Sequence, residues 1–391
     1  MTEPSDWTLH PVAAWLLRDG WRRPNRRLLF GEVGSRLNQA GIPVWRMAAF
    51  IPTLHPEWFA DSFFWNRDGG EARYEQAGHD VQQTPEFNDS PLIEVGRTGQ
   101  KLRRRLAGPQ AQLDYPVLRD FAGQGATDYL ALPVRFSRPQ PVFLTFATDH
   151  PDGFSEFQIA VLSDLGAVFA PIIEAMATQM VAVRLLDTYV GRNAGQRVLA
   201  GQIGRGSGET IDAAIWYCDL RGFTALSDTL PRDRLIATLN DYFDRMGTAI
   251  ERHQGEVLKF IGDAMLAIFP VASDPARACT AAFAAAQEAV AAMDRLNGER
   301  QSAGDGRLDY GIALHLGDVM YGNIGTSHRL DFTVIGPAVN YAARLERLCR
   351  ELGRKLVLSS AVATHLGNGV SSAGRHALRS VAEPQEVFVP A

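Results

Sequence analysis

The strongest constraint on the fold is an apolar run in the second half of the chain that ends in a carboxylate. Residues 211–220 read IDAAIWYCDL, and Arg-Gly-Phe-Thr follows at once. The run predicts a buried strand, and the glycine predicts a turn into a helix. Asp219 then lies at the carboxyl end of the strand, where a carboxylate can hold a hard cation and turn amides can face phosphate oxygens. A lone acid after a strand is equally typical of a helix cap.

A second acid follows in a comparable place. Residues 256–270 read EVLKFIGDAMLAIFP, in which two apolar strands flank Gly262-Asp263, a strong hairpin signal. The turn alone explains Asp263, but two carboxylates at neighbouring strand ends can share a pair of Mg²⁺ ions. Lys259 lies within an apolar strand and needs a buried partner or a ligand.

A third signal joins a strand to a helix. Residues 331–346 read DFTVIGPAVNYAARLE. Asn340 and Arg344 are four residues apart, so they share a helical face. An amide and a guanidinium suit a ribose oxygen and a phosphoryl group with growing negative charge. The alternative is a surface Asn beside an Arg that pairs with Glu346 or another acid.

Two other stretches of the second half are interpreted as structural. Residues 275–299 are rich in alanine and predict a packing helix. Residues 308–325 predict two strands joined by a Gly-Asp turn, in which Asp318 only forms the turn.

The first half of the chain predicts a separate α+β domain. Residues 1–26, with Trp7, Trp15, Leu16 and Trp21, are interpreted as an arm. After the arm, the sequence predicts a helix from residue 27 and strands at 42–51 and 57–65. It then predicts a hairpin of 128–136 and 141–148 with a Ser-Arg-Pro-Gln turn, and a helix that begins at a Ser155/Gln158 capping box. Lys101 and Arg103 to Arg105 are interpreted as a solvated helix face.

Residues 183–208 connect the halves. Val183, Leu186, Val190, Ala194 and Val198 recur at helical steps. They predict either a two-stranded coiled coil between protomers or a surface helix packed on its own domain. The glycines of residues 204–208 predict a joint.

Composition excludes several classes of protein. The 391 residues carry a formal net charge of −5, which argues against a polybasic nucleic-acid binder. Three cysteines without CxxC spacing support neither a disulfide framework nor a zinc site. The most apolar stretch, residues 167–183, is interrupted by Glu174 and Gln179 and falls short of a membrane span. We therefore expect a soluble, cytoplasmic protein with no membrane span.

The three motifs YCDLRGFTALSD, KFIGDAMLAIF and DFTVIGPAVNYAARLE, in this order, resemble the class III nucleotidyl cyclase catalytic domain. The resemblance implies a ferredoxin-like α+β fold over residues 209–391 and a homodimer whose sites are shared between protomers. The segment ALPVRFS to VFLTFATDHPDGFSEFQIAVLSDLGAVFAPIIEAMA makes residues 27–182 similar to a GAF domain, which implies a sensor with an unknown small-molecule or protein effector.

The resemblance also implies which residues hold cations and phosphates. Asp219 and Asp263, helped by the main-chain oxygen of Leu220, would hold two Mg²⁺ or Mn²⁺ ions. One ion would activate the attacking hydroxyl and the other would bind the triphosphate. The triphosphate would also lie against the turn amides of Gly222, Phe223 and Thr224.

The nucleoside would be bound by the second protomer. Lys259 and Thr333 would read the purine, Asn340 would orient the ribose, and Arg344 would stabilise the transition state. Arg379 stands where the family usually has a lysine and would contact the triphosphate. The implied reaction is attack of the ribose 3′-oxygen on the α-phosphorus of ATP, which releases pyrophosphate.

Hydrogen-bond chemistry indicates which purine the site would bind. Lys259 can donate to adenine N1, and the Thr333 hydroxyl can accept from the exocyclic amine, whereas guanine reverses this edge. We therefore predict an adenylate cyclase. The alternatives are a guanylate cyclase and a catalytically inert nucleotide-binding module. A polymerase or diguanylate cyclase lacks support because no GGDEF-type segment is present.

Overall fold

The computed structural model describes residues 10–23, 25–137 and 142–391. The chain divides into two compact units, the first ending at Leu185 and the second beginning at Leu186. Each combines helices with a sheet and buries an apolar core of its own. The expectation of a mixed α and β protein is confirmed.

The first unit is built on a six-stranded antiparallel sheet with strand order β3-β2-β1-β6-β5-β4. The strands are β1 (Arg46–Pro52), β2 (Trp58–Asn66), β3 (Arg73–Gly78), β4 (Leu102–Arg105), β5 (Asp128–Val134) and β6 (Val142–Thr148). The helices are α1 (Pro11–Arg18), α2 (Arg26–Gln39), α3 (Pro85–Asn88), α4 (Pro91–Thr98), α5 (Pro116–Gly123) and α6 (Glu156–Val190).

Helices cover both faces of this sheet. Helices α1, α2 and α6 pack on one face, and α4 and α5 pack on the other. Trp15 and Leu16 of α1 are buried in the core, whereas Trp21 is half exposed. Part of the predicted arm therefore belongs to the folded unit, and Trp7 lies outside the described residues.

Locally determined features of this unit are confirmed. The main-chain N–H of Ser155 donates to Gln158 Oε1 at 2.9 Å, and the N–H of Gln158 donates to Ser155 Oγ at 3.2 Å, so the capping box forms. Strands β5 and β6 pair antiparallel as predicted. All but the first residue of the Ser-Arg-Pro-Gln turn between them lies outside the described residues.

The prediction of a solvated helix face at residues 101–105 is wrong. This segment forms the edge strand β4, which pairs with β5. Arg103 Nη2 donates to Asp128 Oδ2 at 2.7 Å, and Arg105 Nη1 lies 3.4 Å from the same oxygen. Asp128 is fully buried. The arginines therefore neutralise an internal carboxylate that lies 23 to 25 residues away along the chain.

Helix α6 is the one described helix that could cross a membrane by length and composition. Its most apolar window has a mean hydropathy of 1.8, and half of that window is buried inside the protein. Leu162, Phe169 and Ile173 belong to the core of the first unit. Core packing therefore accounts for the buried part of α6, between Ile159 and Ile173.

The connection between the units is not one continuous helix. Helix α6 ends at Val190, Gly191 adopts φ +91°, and α7 (Arg192–Leu199) follows. Ala194 is fully buried, and Val198 packs with it against the sheet of the second unit. An unbroken coiled coil through Val198 is therefore wrong, and the alternative of a helix packed on its own domain is correct for α7.

The second unit contains an eight-stranded sheet. Seven strands follow the order β13-β14-β12-β10-β7-β9-β8, and β11 pairs with β10. The strands are β7 (Gly208–Leu220), β8 (Glu256–Ile261), β9 (Ala264–Pro270), β10 (Tyr310–Gly325), β11 (Leu330–Ile335), β12 (Leu356–Ser359), β13 (Val370–His376) and β14 (Gln385–Pro390). The helices after α7 are α8 (Phe223–Thr229), α9 (Arg232–Arg252), α10 (Pro275–Ser302), α11 (Pro337–Glu351) and α12 (Ser360–Ala363).

The two faces of this sheet differ. Along β7, Trp216 and Cys218 face α9 and α10, whereas Ile215 lies on the face covered by α7 and the start of α11. Because side chains alternate along a strand, Asp219 also lies on the second face. The long alanine-rich helix α10 packs as predicted.

The predicted turn at Asp318 does not exist. Strand β10 runs without interruption from Tyr310 to Gly325, and Asp318 is an exposed strand residue opposite Asp212. A Cβ built on Gly317 would lie 2.8 Å from Ala338 Cβ. The glycine therefore permits close approach of α11 and does not mark a turn.

Candidate functional site

Asp219 and Asp263 are brought to the same end of the sheet by neighbouring strands. Asp219 is the penultimate residue of β7. The two-residue turn at Gly262 and Asp263 joins β8 to β9 with Ile261 opposite Ala264, as predicted. Because β9 pairs with β7 and Cys218 lies opposite Met265, the turn follows directly beyond Asp219.

The two carboxylates interact. Burial and the negative charge of Asp263 raise the pKa of Asp219 to about 7. Asp219 Oδ1 is buried and accepts no hydrogen bond from any described residue. Adjacent carboxylates with an unsatisfied oxygen fit a hard divalent cation, whose preferred ligands are oxygens.

The remaining ligands of such a cation are not side chains of the usual metal-binding types. Among the described residues, no group of three or more His, Cys, Asp or Glu side chains has the geometry to hold a metal ion. The main-chain oxygen of Leu220, water and a bound phosphate are the oxygens that would complete the coordination shell.

A tight turn follows the first acid. Gly222 adopts φ +71°, a left-handed conformation that favours glycine, and α8 begins at the next residue. The first main-chain N–H groups of a helix have no partner within the helix. Those of Phe223 and Thr224 are therefore available to an anion.

Lys259 has no partner among the residues that the structure describes. It lies opposite Leu266 on β9, which in turn faces Tyr217 on β7, so it is on the same face of the sheet as Asp219. The side chain is half buried and makes no hydrogen bond or ion pair with any residue that the structure describes.

Thr333 is the second unpaired polar group of this region. It lies in β11 opposite Gly322 and is 2% exposed. Its Oγ1 has no hydrogen-bond partner among the described residues. Strands β11 and β8 lie against each other, so the structure brings the strands of Thr333 and Lys259 together.

Three other candidate residues form no hydrogen bond or ion pair with Asp219 or Asp263 among the described residues. Asn340 is exposed and Arg344 is half buried on α11, and Arg379 is exposed between β13 and β14. None makes a hydrogen bond or ion pair with a described residue. The sequence also allowed an ion pair between Arg344 and Glu346, and the described residues do not form it.

Sequence reasoning considered Glu346 only as a partner for Arg344 and did not place its charge near Asp219. It is 7% exposed, and burial raises the pKa of its carboxyl group. It belongs to the buried stripe of α11, together with Ala342, Leu345 and Cys349. An acid within an apolar helical stripe is the signal that could have found it.

Comparison with known proteins found a protein-family match within the second unit. Residues 207–383 match the model of the adenylate and guanylate cyclase catalytic domain. An adenylate cyclase of Anabaena cylindrica is 36% identical over 165 residues, which are 41% of this chain and 32% of that protein. This chain spans about a third of the length of the curated relatives that it matches.

Solved structures similar to this chain include two cyclases. The adenylyl cyclase CyaB from P. aeruginosa is 23% identical with a TM-score of 0.43, covering 47% of this chain and 96% of that one. The guanylyl cyclase Cya2 is 28% identical with a TM-score of 0.42, covering 46% and 92%. The family match includes all three sequence motifs and both carboxylates, so residues 207–383 belong to the adenylate and guanylate cyclase catalytic domain family.

Proposed function

We propose that this protein is an adenylate cyclase that converts ATP to 3′,5′-cyclic AMP and pyrophosphate. The observation that carries the proposal is the Asp219 and Asp263 pair, which lies beside a glycine turn within a cyclase catalytic domain. Adjacent acids at a strand end and free turn amides suit a cation-bound triphosphate.

In the proposed reaction the ribose 3′-oxygen bonds to the α-phosphorus as the bond to pyrophosphate breaks and the hydroxyl proton is released. Asp219, Asp263 and the main-chain oxygen of Leu220 hold Mg²⁺ or Mn²⁺. When bound, these ions lower the pKa of the 3′-hydroxyl and offset the charge of the triphosphate. The amides of Gly222, Phe223 and Thr224 bind phosphate oxygens.

Two unpaired groups support adenine as the base. Within the described ranges, the Lys259 amine lacks a partner and the Thr333 hydroxyl is buried without one. An ammonium donates to adenine N1, and a hydroxyl accepts from the amino group. Guanine presents a donor at N1 and a carbonyl at position 6, so Lys259 would face an N–H.

The nucleotide is proposed to bind between two copies of the chain. Asn340 and Arg344, which do not bond to the acids of their own protomer, would orient the ribose and stabilise the transition state in the partner's site. Arg379 would contact the triphosphate. Met320 and Ile335, which are cross-strand neighbours, and Phe260 are 43%, 51% and 56% exposed, as expected of an interface.

Regulation is assigned to the first unit. The order of helix, strands, variable insert, strands and long helix supports a GAF-like sensor, and we propose that the protein acts in the cytoplasm. An effector would act through α6 and α7 and would change how the catalytic domains of the two protomers associate. Deletion of residues 1–182 should change activity or dimerisation, and unchanged values for both would contradict this assignment.

The activity is tested with purified full-length protein, each of Mg²⁺ and Mn²⁺, and ATP and GTP separately and in competition. We expect cyclic AMP and pyrophosphate in equal amounts, with ATP the preferred substrate. Preference for GTP would make the protein a guanylate cyclase. No cyclic nucleotide with either purine would favour an inert nucleotide-binding module.

A further inference from the structure

A buried carboxylate, that of Glu346, lies close to the half-buried Asp219 and Asp263 pair. Glu346 is on α11, and its neighbours in the buried stripe are apolar side chains and a cysteine. Its relation to the pair is set by β10, which pairs with β7 and packs against α11.

The position of the Glu346 carboxylate follows from the strand register. Gly311 of β10 lies directly opposite Asp219 of β7. A Cβ built on Gly311 would collide with the Glu346 carboxylate, so that group occupies the space of the missing side chain. Residues opposite each other on antiparallel strands have Cβ positions about 5 Å apart on one face of the sheet. The Glu346 carboxylate thus lies beside Asp219.

The charge of Glu346 has no direct compensation. It makes no hydrogen bond or ion pair with any residue that the structure describes. Arg221 and Arg347 act on it only through space. Arg221 is already committed, because Nη1 donates to Asp309 Oδ2 at 3.1 Å and Nη2 donates to the Arg354 carbonyl at 2.9 Å.

A buried carboxylate without a partner costs stability, so this arrangement needs a compensating charge. The described residues supply none at ion-pair distance. Glu346 does not complete a three-acid ligand set with Asp219 and Asp263. Its effect on a cation is therefore exerted through the electric field at Asp219 and not through direct coordination.

We propose that Glu346 is a positioning residue of the cation site, whose buried negative charge behind Asp219 raises the affinity of the carboxylate pair for divalent cations. This inference rests on the proposed function, because the cation is the one that the cyclase reaction needs. Carboxylates that support metal ligands from behind typically change metal affinity ten- to a hundredfold.

The test is Mn²⁺ binding to the full-length protein, followed by the electron paramagnetic resonance of free Mn²⁺. The nucleotide 3′-deoxy-ATP is present, because it lacks the attacking hydroxyl and cannot react. E346Q keeps the shape and removes the charge, and we expect about ten- to a hundredfold weaker binding. E351Q removes an exposed carboxylate from the same helix and should leave binding unchanged.

Two further readouts separate a charge role from a structural one. Metal-free E346Q should melt no lower than the wild type, since it removes an uncompensated buried charge. E346D keeps the charge and should retain most of the affinity that E346Q loses. A purely structural role predicts the reverse order, with Gln tolerated and Asp not, and that result would overturn the inference. If E346Q does not fold, the Mn²⁺ affinity of E346D alone tests the inference. A large loss of affinity in E346D would then overturn it.

D219N distinguishes the inference from the proposed function. If D219N abolishes Mn²⁺ binding and E346Q binds like the wild type, the role of Glu346 is refuted and the cation site stands. If wild-type binding does not depend on Asp219, both proposals fail together.

Discussion

Buried and half-buried acids of the two units are compensated in different ways. In the first unit, Asp128 is paired with Arg103 and Arg105, and Asp61 is paired with Arg184 at 2.8 Å. In the second unit, Asp219 and Glu346 have no cation at ion-pair distance among the described residues. The first pattern stabilises a fold without outside help, whereas the second leaves negative charge for a bound cation to offset.

The largest expected effect comes from removing a carboxylate that lacks compensation. Asp219→Ala should abolish cyclase turnover because a cation ligand is lost. The fold should remain, since Asp219 is half buried and forms no ion pair with a described residue. Turnover of purified variants and their melting temperatures measure both points. Asp318→Ala, an exposed acid of the same sheet, should keep wild-type activity, and substantial activity in the Asp219 variant would contradict the account.

Arg344→Ala comes next. A guanidinium that binds the transition state more tightly than ATP contributes about 10²- to 10³-fold to turnover. We expect a loss of that size in kcat with a much smaller change in the affinity for 3′-deoxy-ATP. Arg350→Ala, on the exposed surface of the same helix, is the control. Equal losses in binding and turnover would show that Arg344 only binds substrate.

Breaking a compensated acid should affect stability and not chemistry. Asp128→Asn leaves Arg103 and Arg105 without their buried counter-charge, and loss of one member of a buried pair costs about 3 kcal/mol or more. Urea unfolding of the full chain measures the change in the free energy of unfolding. Asp152→Asn, at an exposed position, should change it by less than about 0.5 kcal/mol. A neutral result at Asp128 would remove the contrast between the units.

A smaller effect is expected from pH. The pKa of Asp219 is raised to about 7 by burial and by Asp263, so a proton competes with the cation below that pH. Apparent Mn²⁺ affinity should fall about tenfold for each pH unit below 7 and level off above it. A flat dependence between pH 6 and pH 8 would contradict the shift.

The same shift predicts a sign for stability. Because the pKa is raised in the folded state, the folded metal-free protein holds this proton more tightly than the unfolded chain does. Stability should therefore fall as pH rises from about 4 to about 7. Asp219→Asn should lose this component.

Features set by neighbouring residues could be predicted from the sequence. The Gly262 and Asp263 hairpin and the Ser155 and Gln158 capping box depend on a few adjacent positions, and both form. The apolar run of residues 211–220 also placed Asp219 at a strand end. Local chemistry therefore located the first two acids of the site.

Features that depend on distant partners could not be predicted. Arg103 of β4 pairs with Asp128, which is distant in sequence. Gly317 is required because a side chain there would collide with Ala338 of α11. The break at Gly191 interrupts a regular apolar pattern. Glu346 gains its importance from Gly311, which lies 35 positions earlier in the sequence. In each case the deciding contact joins segments whose proximity only the fold reveals.

In the proposed dimer, acids from one protomer and Arg344 from its partner act on one ATP. Asp219→Ala and Arg344→Ala proteins, each inactive alone, should regain activity when mixed, because a heterodimer contains one intact site. With random pairing, half of the dimers are mixed and one of their two sites works, so about a quarter of wild-type activity is expected. No recovery in mixtures shown to contain heterodimers would contradict the shared site.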